Sequence, residues 1–388
     1  MQYFQHLRCI LNIIQFFQGD EEILMIHILV DAHSFDGDGQ GIVSYIQGIY
    51  SEILKDKTFD ITFASSNIEK LKRNFGDHIK VLKIPCSFFL YRLFVFFPKI
   101  LKSGTFDYVH FQYMLPFFLS KKTKVITTIH DIIPVDFPEY YSLFYRLKVR
   151  LFFYRAAKKS DVLLTVSGYS KNRIASKFKI PSDKIYITPN AVKNVFNEEK
   201  NAIQETTEDN NNYFLYVSRI EERKNHITLL KAFVDGHFYK YYSLIFVGSQ
   251  SSRSLELYEY FDSLSFEIKE KVRFFSGLSD SELNDIYKNA TLFIYPSIAE
   301  GFGIPPLEAA THLKKVVCSN STAMSDFDFF KKYSFNPFDE NELIERIKII
   351  LKDDFYPAEQ IKNQILEKYS WKKSADVLKK ILMPMEEK

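Results

Sequence analysis

The sequence predicts an α/β protein of two domains, each an open parallel sheet wrapped by helices, facing each other across a cleft. Three observations predict it. Short β-rich apolar runs alternate with longer helical patterns along most of the chain, the rhythm of parallel βαβ units. One polar, aromatic-free stretch, Asn197 to Asn212, interrupts that rhythm with the composition of a solvated linker. A chain of 388 residues exceeds one usual core but is comfortable as two.

Taken in order, residues 1–24 read as an N-terminal extension, because the strand-like LMIHILVDA begins close to Met25, an alternative start. Tyr3, Leu7, Ile10, Leu11, Ile14 and Phe17 would nevertheless line one face of a helix. The run CILNIIQFF is too short and interrupted to span a bilayer, which needs roughly 20 apolar residues. It is followed by QGDEE rather than a small-residue cleavage site. The first domain, 25–196, takes its strands from MIHILV, DITFAS, KVLKI, YVHFQ, KVITTI, VLLTV and KIYIT, with one long aromatic helix expected between KVLKI and YVHFQ. After the linker, 197–212, a second domain over 213–369 uses YFLYV, SLIFVG, VRFFSG, TLFIYP and KVVCS. Helical patterns at 340–352, 357–368 and 371–386 close the chain, and 370–388 is expected to pack back on the first domain.

Hydrophobic residues at 46% and charged residues at 26% describe a soluble globular protein. Lysine and arginine exceed aspartate and glutamate by only 51 to 48, a balance that argues against a nucleic-acid partner. Cys9, Cys86 and Cys318 have no metal or redox spacing and read as buried free thiols in a reducing compartment.

Parallel sheets bind ligands beyond the carboxyl ends of their strands, so chemistry is expected in the strand-to-helix loops. TLFIYPS is followed by IAEGFGIPPLEAATHL, where a proline fits the first helical position, Glu308 falls in the first turn and Glu300 in the loop. Gly301 and Gly303 would let backbone approach a ligand, and the helix start offers N–H groups to an anion. Carboxylates here can accept sugar hydroxyls, or merely complement a helix dipole and solvate a loop. After YFLYV, Arg219 and Lys224 stand at the mouth of the same sheet; they suit a diphosphate, and equally an ordinary charged loop, since Glu221, Glu222 and Arg223 lie between them.

In the first domain, DGDGQGIVSYI sets Gly39, Gln40 and Gly41 at a helix start, fit for a phosphate, an acceptor sugar or a plain tight turn. Its G-x-G-x-G spacing is not the dinucleotide fingerprint. Asp36-Gly37-Asp38 has the look of a divalent-cation motif, but aspartates favour glycine turns without metal, and no metal is assigned. TTIHDIIPVDFP places His130 and Asp131 where a strand ends, to orient or protonate a ligand or to be structural. Ser167 and Ser170 fit an N-cap.

Together these segments resemble the GT-B-fold glycosyltransferases of family 4, retaining enzymes that use sugar nucleotides. The similarity covers most of Met25 to Ala375, through VSRIEERKNHITLLKAF, the stretch from VRFFSG to EGFGIPPLEAA, and TTIHDIIPVDFP in the expected order. It implies two Rossmann-like α/β/α domains facing an interdomain cleft. Arg219 and Lys224 would hold the donor diphosphate, and Glu308 the nucleotide ribose. Glu300 would contact the transferred sugar, helped by backbone N–H groups from Gly301 through Phe302 to Gly303. His130 would lie at the sugar's reactive face, with Asp131 beside it, and Gly39, Gln40 and Gly41 near donor phosphate and acceptor.

The resemblance further implies retention of configuration without metal or other cofactor, and hexosyl transfer to a glycan or lipid-linked acceptor in bacterial surface polysaccharide synthesis. The donor leans toward a GDP-mannose type, with a UDP-sugar as close rival. The chain departs from the family pattern at Ser218, at Ala191 and over AMSDFDFF. Two aromatic segments rich in lysine and arginine, CSFFLYRLFVFFPKILKSG and YYSLFYRLKVRLFFYRAAKK, fit either core helices or peripheral contact with the inner face of the cytoplasmic membrane. A non-catalytic sugar-binding protein and a GT-B-fold epimerase or phosphorylase are the rival readings.

Overall fold

The computed structural model describes residues 25–37, 40–86, 88–192, 212–250 and 255–383. The expected extension 1–24, Gly39 and all but Asn212 of the expected linker lie outside them. Strands β1 (Ile26–Asp31), β2 (Phe59–Ser65), β3 (Lys80–Lys83), β4 (Tyr108–Gln112), β5 (Lys124–Thr128), β6 (Val162–Thr165) and β7 (Ile185–Ile187) form one sheet in the order β3-β2-β1-β4-β5-β6-β7. Strands β8 (Tyr213–Val217), β9 (Ser243–Val247), β10 (Val272–Phe275), β11 (Leu292–Tyr295), β12 (Lys315–Ser319) and β13 (Ser334–Phe335) form a second, in the order β10-β9-β8-β11-β12-β13. Every pairing in both sheets is parallel.

The central strands carry apolar runs because both faces are covered: Ile28, Leu29 and Val30 in β1, and Phe214, Leu215 and Tyr216 in β8, are all fully buried. Each strand order reverses once, between β1 and β4 and between β8 and β11. The crevice beyond the strand ends is open at these two points.

The covering helices that matter for the site are α1 (Gln40–Ile53), α2 (Leu143–Lys159), α3 (Gly168–Phe178), α4 (His226–Asp235), α5 (Ile304–Thr311) and α6 (Trp371–Leu382). Between β3 and β4 the expected single aromatic helix is three pieces, Phe89–Tyr91, a π-helical Arg92–Phe96 and Phe97–Ser103. Pro98 cannot donate to the ladder, which loosens the turn before it. That turn carries Arg92 into the interior and leaves Phe94 and Val95 outside.

The domains are joined by more than one crossing of the chain. Helix α6 lies against α1 of the first domain, with the Trp371 ring filling the space over Gly48, where an added Cβ would be 2.1 Å from the indole. Ser374 Oγ donates to Pro189 O at 2.7 Å, and Lys379 Nζ stands 3.3 Å from Asp56. One further expectation is corrected: Cys318 is buried in β12, but Cys86 is exposed, because it follows the sheet-edge strand β3.

Candidate active site between the domains

The second-domain wall starts where β8 ends. Ser218 to Glu221 lead into a single 3₁₀ turn, Glu222–Lys224, and Asn225 adopts a left-handed conformation (φ 58°) to enter α4. Asn225 Nδ2 donates to Pro337 O at 2.8 Å and Pro296 O at 3.3 Å, fixing this loop to the one that follows β11. A 3₁₀ turn has three residues per turn, so its three side chains diverge. Glu222 points to solvent, Arg223 is partly covered and faces the cleft, and Lys224 is buried.

Lys224 meets Glu300, which is 8% exposed. Glu300 Oε1 accepts from Lys224 Nζ, from Tyr295 Oη at 2.8 Å and from Ser297 Oγ at 2.7 Å. Its Oε2 has only a longer contact among the described residues, 3.5 Å to Arg223 Nη1. Burial alone would favour the neutral acid, but the Lys224 and Arg223 charges and the hydrogen bonds outweigh it and hold the carboxyl at about 2. Glu300 is therefore an anion with one saturated oxygen and one able to accept more. Arg223 is fixed from both sides: Nη1 donates to Ala299 O at 2.7 Å, and Nη2 lies 3.1 Å from Glu221.

The first-domain wall is built from the ends of β1, β4 and β5. Asp31, at the end of β1, accepts Arg92 Nη2 on both oxygens at 2.9 and 2.6 Å. Burial opposes its ionisation, but Arg92 and then His33 lower it to about 2. His130, after β5, is buried, and its Nε2 donates to Gln112 Oε1 at 2.8 Å. Desolvation lowers its pKa to about 3, so the ring is neutral near pH 7, packed edge-on to Tyr45 at 4.8 Å between centroids. Asp131 accepts Ile133 N at 3.0 Å and Tyr113 Oη at 3.3 Å, and burial raises its carboxyl.

Between the walls lies a cavity of about 340 Å³, lined by Asp31, Arg92, Gln112, Tyr113 and Asp131 from one domain and by Arg219 and Arg223 from the other, with Tyr141 and Tyr145 at its side. Two arginines from one domain thus face two carboxylates and an amide from the other.

The expected residues fall into three groups. Asp131 and Arg219 line the cavity, Arg219 being largely exposed and 3.1 Å from Glu221. Lys224, Glu300 and His130 lie one layer behind the lining, and the sequence reading had not set Lys224 there: the 3₁₀ turn directs it into the interior and gives the cleft to Arg223. The rest differ more. At Gly301 the space a side chain would take is filled by the first domain, since a Cβ there would be 2.7 Å from Asp131 Cβ, and its carbonyl accepts Ser167 Oγ at 2.7 Å and Ser170 Oγ at 3.3 Å. Phe302 is a core residue, edge-on to Phe327 and Tyr369.

Gly303 does take the left-handed conformation (φ 96°) as the N-cap of α5, but the helix starts at Ile304, so Glu308 sits in its second turn rather than its first. Pro305 and Pro306 bring no N–H to that turn. Glu308 Oε2 accepts Tyr287 Oη at 3.0 Å. Gln40 and Gly41 open α1, and Gly41 has no atom within 4 Å of an added Cβ. Asp36 accepts Ser65 Oγ at 2.6 Å and the N–H groups of Ser66 and Asn67 at 3.0 Å, which gives it a structural task. Ser167 caps α3 by accepting Ser170 N at 3.0 Å while donating across to Gly301.

Sequence reasoning missed Arg223, Asp31, Arg92, Gln112 and Tyr113. For Asp31 and Gln112 the signal was available: they are the last residues of β1 and β4, the strands that flank the order reversal.

Comparison with known proteins agrees with this architecture. The family model "Glycosyltransferase Family 4" matches residues 53–194, and "Glycosyl transferases group 1" matches residues 197–368. The O-antigen chain mannosyltransferase RfbU of Salmonella typhimurium is 31% identical over 227 residues, 58% of this chain and 60% of that protein. O-antigen chain mannosyltransferase B of Escherichia coli is 28% identical over 264 residues, 64% and 67% of the two chains. The alignment with RfbU thus spans well under the whole of that relative. Among solved structures, a glycosyltransferase from Rickettsia africae superposes with a TM-score of 0.67 at 19% identity, covering 93% of this chain and all (100%) of that one. Anabaena Alr3699/HepE in complex with UDP and glucose superposes at 0.68 and 15% identity, covering 92% and 99%. With two facing parallel-sheet domains, one family match ending just before the linker and the other running from its start, the chain belongs to glycosyltransferase family 4 and has the GT-B fold.

Proposed function

We propose that the chain moves a hexosyl group from a nucleotide-sugar donor to a glycan or lipid-linked oligosaccharide, in bacterial surface polysaccharide synthesis. The observation that carries this reading is the ionised, buried Glu300, set behind Arg223 at the point where the second sheet reverses order. Its unsaturated Oε2 can accept a hydroxyl of the transferred sugar. Arg219 and Arg223 face the cavity where a departing diphosphate would gather charge, and Lys224 adds its charge from behind while orienting the carboxylate. Glu308, on the second turn of α5, takes the ribose. The neutral His130, its one N–H already given to Gln112, can accept one hydrogen bond at Nδ1 but carries no charge to the reaction.

In this reading the sugar leaves and is attacked on the same face, so configuration is retained, and the protein's own cations meet the leaving charge without a metal. The similarity to two O-antigen mannosyltransferases favours GDP-mannose over a UDP-sugar. No described helix is long and apolar enough to cross a membrane, and a lipid-linked acceptor would be met peripherally, at the cytoplasmic face.

The test is transfer from GDP-, UDP-, ADP- and dTDP-linked hexoses to a short glycan acceptor, with the product anomer read by NMR. A GDP-mannose preference with the α-anomer retained is expected. Binding of a sugar nucleotide with neither transfer nor hydrolysis would instead mark a sugar-binding protein.

A further inference from the structure

We propose that one face of the first domain is a docking surface for an anionic bilayer, placed so that the interdomain cavity opens at the lipid headgroups. This deepens the peripheral placement proposed above by assigning the surface. Helix α2 has two apolar sides. Val149, Phe153, Ala156 and Ala157 pack inward, while Leu143 (65% exposed), Phe144 (81%), Leu147 (60%) and Leu151 (61%) stand in solvent on the other side. Arg150 borders that outer stripe on one edge, and Lys148 and Arg155 border it on the other, the arrangement of a helix lying in a membrane interface.

The stripe continues beyond α2. Lys148 Nζ lies 4.6 Å over the Phe89 ring, Phe89 meets Phe152 at 5.9 Å, Phe152 meets Phe117 at 5.6 Å, and Phe117 stacks on Phe94 at 4.3 Å. Exposed Phe94, Val95 and Phe118 extend the same surface. Segments 88–103, 113–122 and 143–159 contain no Asp or Glu, although they hold Lys99, Lys102, Lys121, Lys122, Arg146 and Arg150. An apolar patch with single-sign charge fits anionic lipid. Two copies meeting face to face through it would oppose cation to cation. Phe89 and Tyr145 belong both to this face and to the cavity wall, so an amphiphile held in the bilayer can present its polar head to the site without leaving the membrane.

The test is cosedimentation of the full chain with phosphatidylcholine vesicles, with and without a roughly one-third share of phosphatidylglycerol. Binding should favour the anionic vesicles by about tenfold or more and weaken with salt. Arg150→Glu should lower it by about tenfold, and Phe144→Ser/Leu147→Ser by at least as much, with unchanged melting temperature and unchanged transfer to a short soluble acceptor. Equal binding to both vesicles, unaltered binding of Phe144→Ser/Leu147→Ser, or a dimer that these substitutions dissociate would overturn the proposal. Because vesicle binding needs no donor, an inactive chain that binds lipid sinks only the transfer reading, and an active chain that ignores lipid sinks only this one.

Discussion

At Glu300 a single carboxylate is surrounded by one ammonium, one guanidinium and two hydroxyls. Removing one member of a buried pair leaves an uncompensated charge and costs about 3–5 kcal/mol, whereas replacing both partners with apolar groups is often tolerated. Glu300→Leu alone, or Lys224→Met alone, should therefore lower the melting temperature clearly, and the double variant should regain most of the loss. Transfer should stay down by at least about a hundredfold in all three, measured as kcat; recovery of turnover in the double variant would remove Glu300 from the chemistry. The same carboxyl sets a pH window. Its folded value of about 2 lies below the usual 4.5, so its stabilisation is complete above 4.5 and is lost as pH falls toward 2. Glu300→Gln should flatten the acid limb of a chemical-denaturation profile in that interval.

The turns and helix starts decide what the strands merely aim. Gly301 is the contact point between the loop after β11 and the first domain, so the first methyl added there meets Asp131 rather than space. Gly301→Ala should lower kcat/KM by about tenfold or more while shifting the melting temperature only a few degrees, because the clash falls between domains and not within a core. Thermal shift and initial rates on one preparation separate the two effects. At this scale the limits of the sequence are physical. The strands were legible because a doubly covered parallel strand must be apolar throughout, as in FLY of β8 or LFIY of β11. The loop that carries Glu300 was legible from its glycines, prolines and place after a strand. Arg223 was not: only the 3₁₀ turn separates its direction from that of Lys224, and linear spacing treats them as neighbours. Nor could spacing show that Gly301 yields to a residue about 170 positions earlier in the chain, since that contact exists only once two domains have met.

For the whole molecule, the joining elements are α6 and the Ser167–Gly301 and Asp326–Tyr169 bonds. Trp371 occupies the space that Gly48 leaves, with Tyr45 edge-on at 6.3 Å. Trp371→Ala strips the half-buried ring from the contact of α6 with the first domain, and a loss of up to about 3 kcal/mol is expected in urea unfolding, with a transition that splits in two if the domains then melt separately. A single cooperative transition with unchanged midpoint would show that α6 rides on the first domain without holding it. The chain has one tryptophan, and it stands where α6 meets α1. Its tryptophan emission consequently comes from a single indole held between α6 and α1 of the first domain, so release of the tail helix by detergent, denaturant or truncation can be followed by emission wavelength and quenching, with no introduced dye.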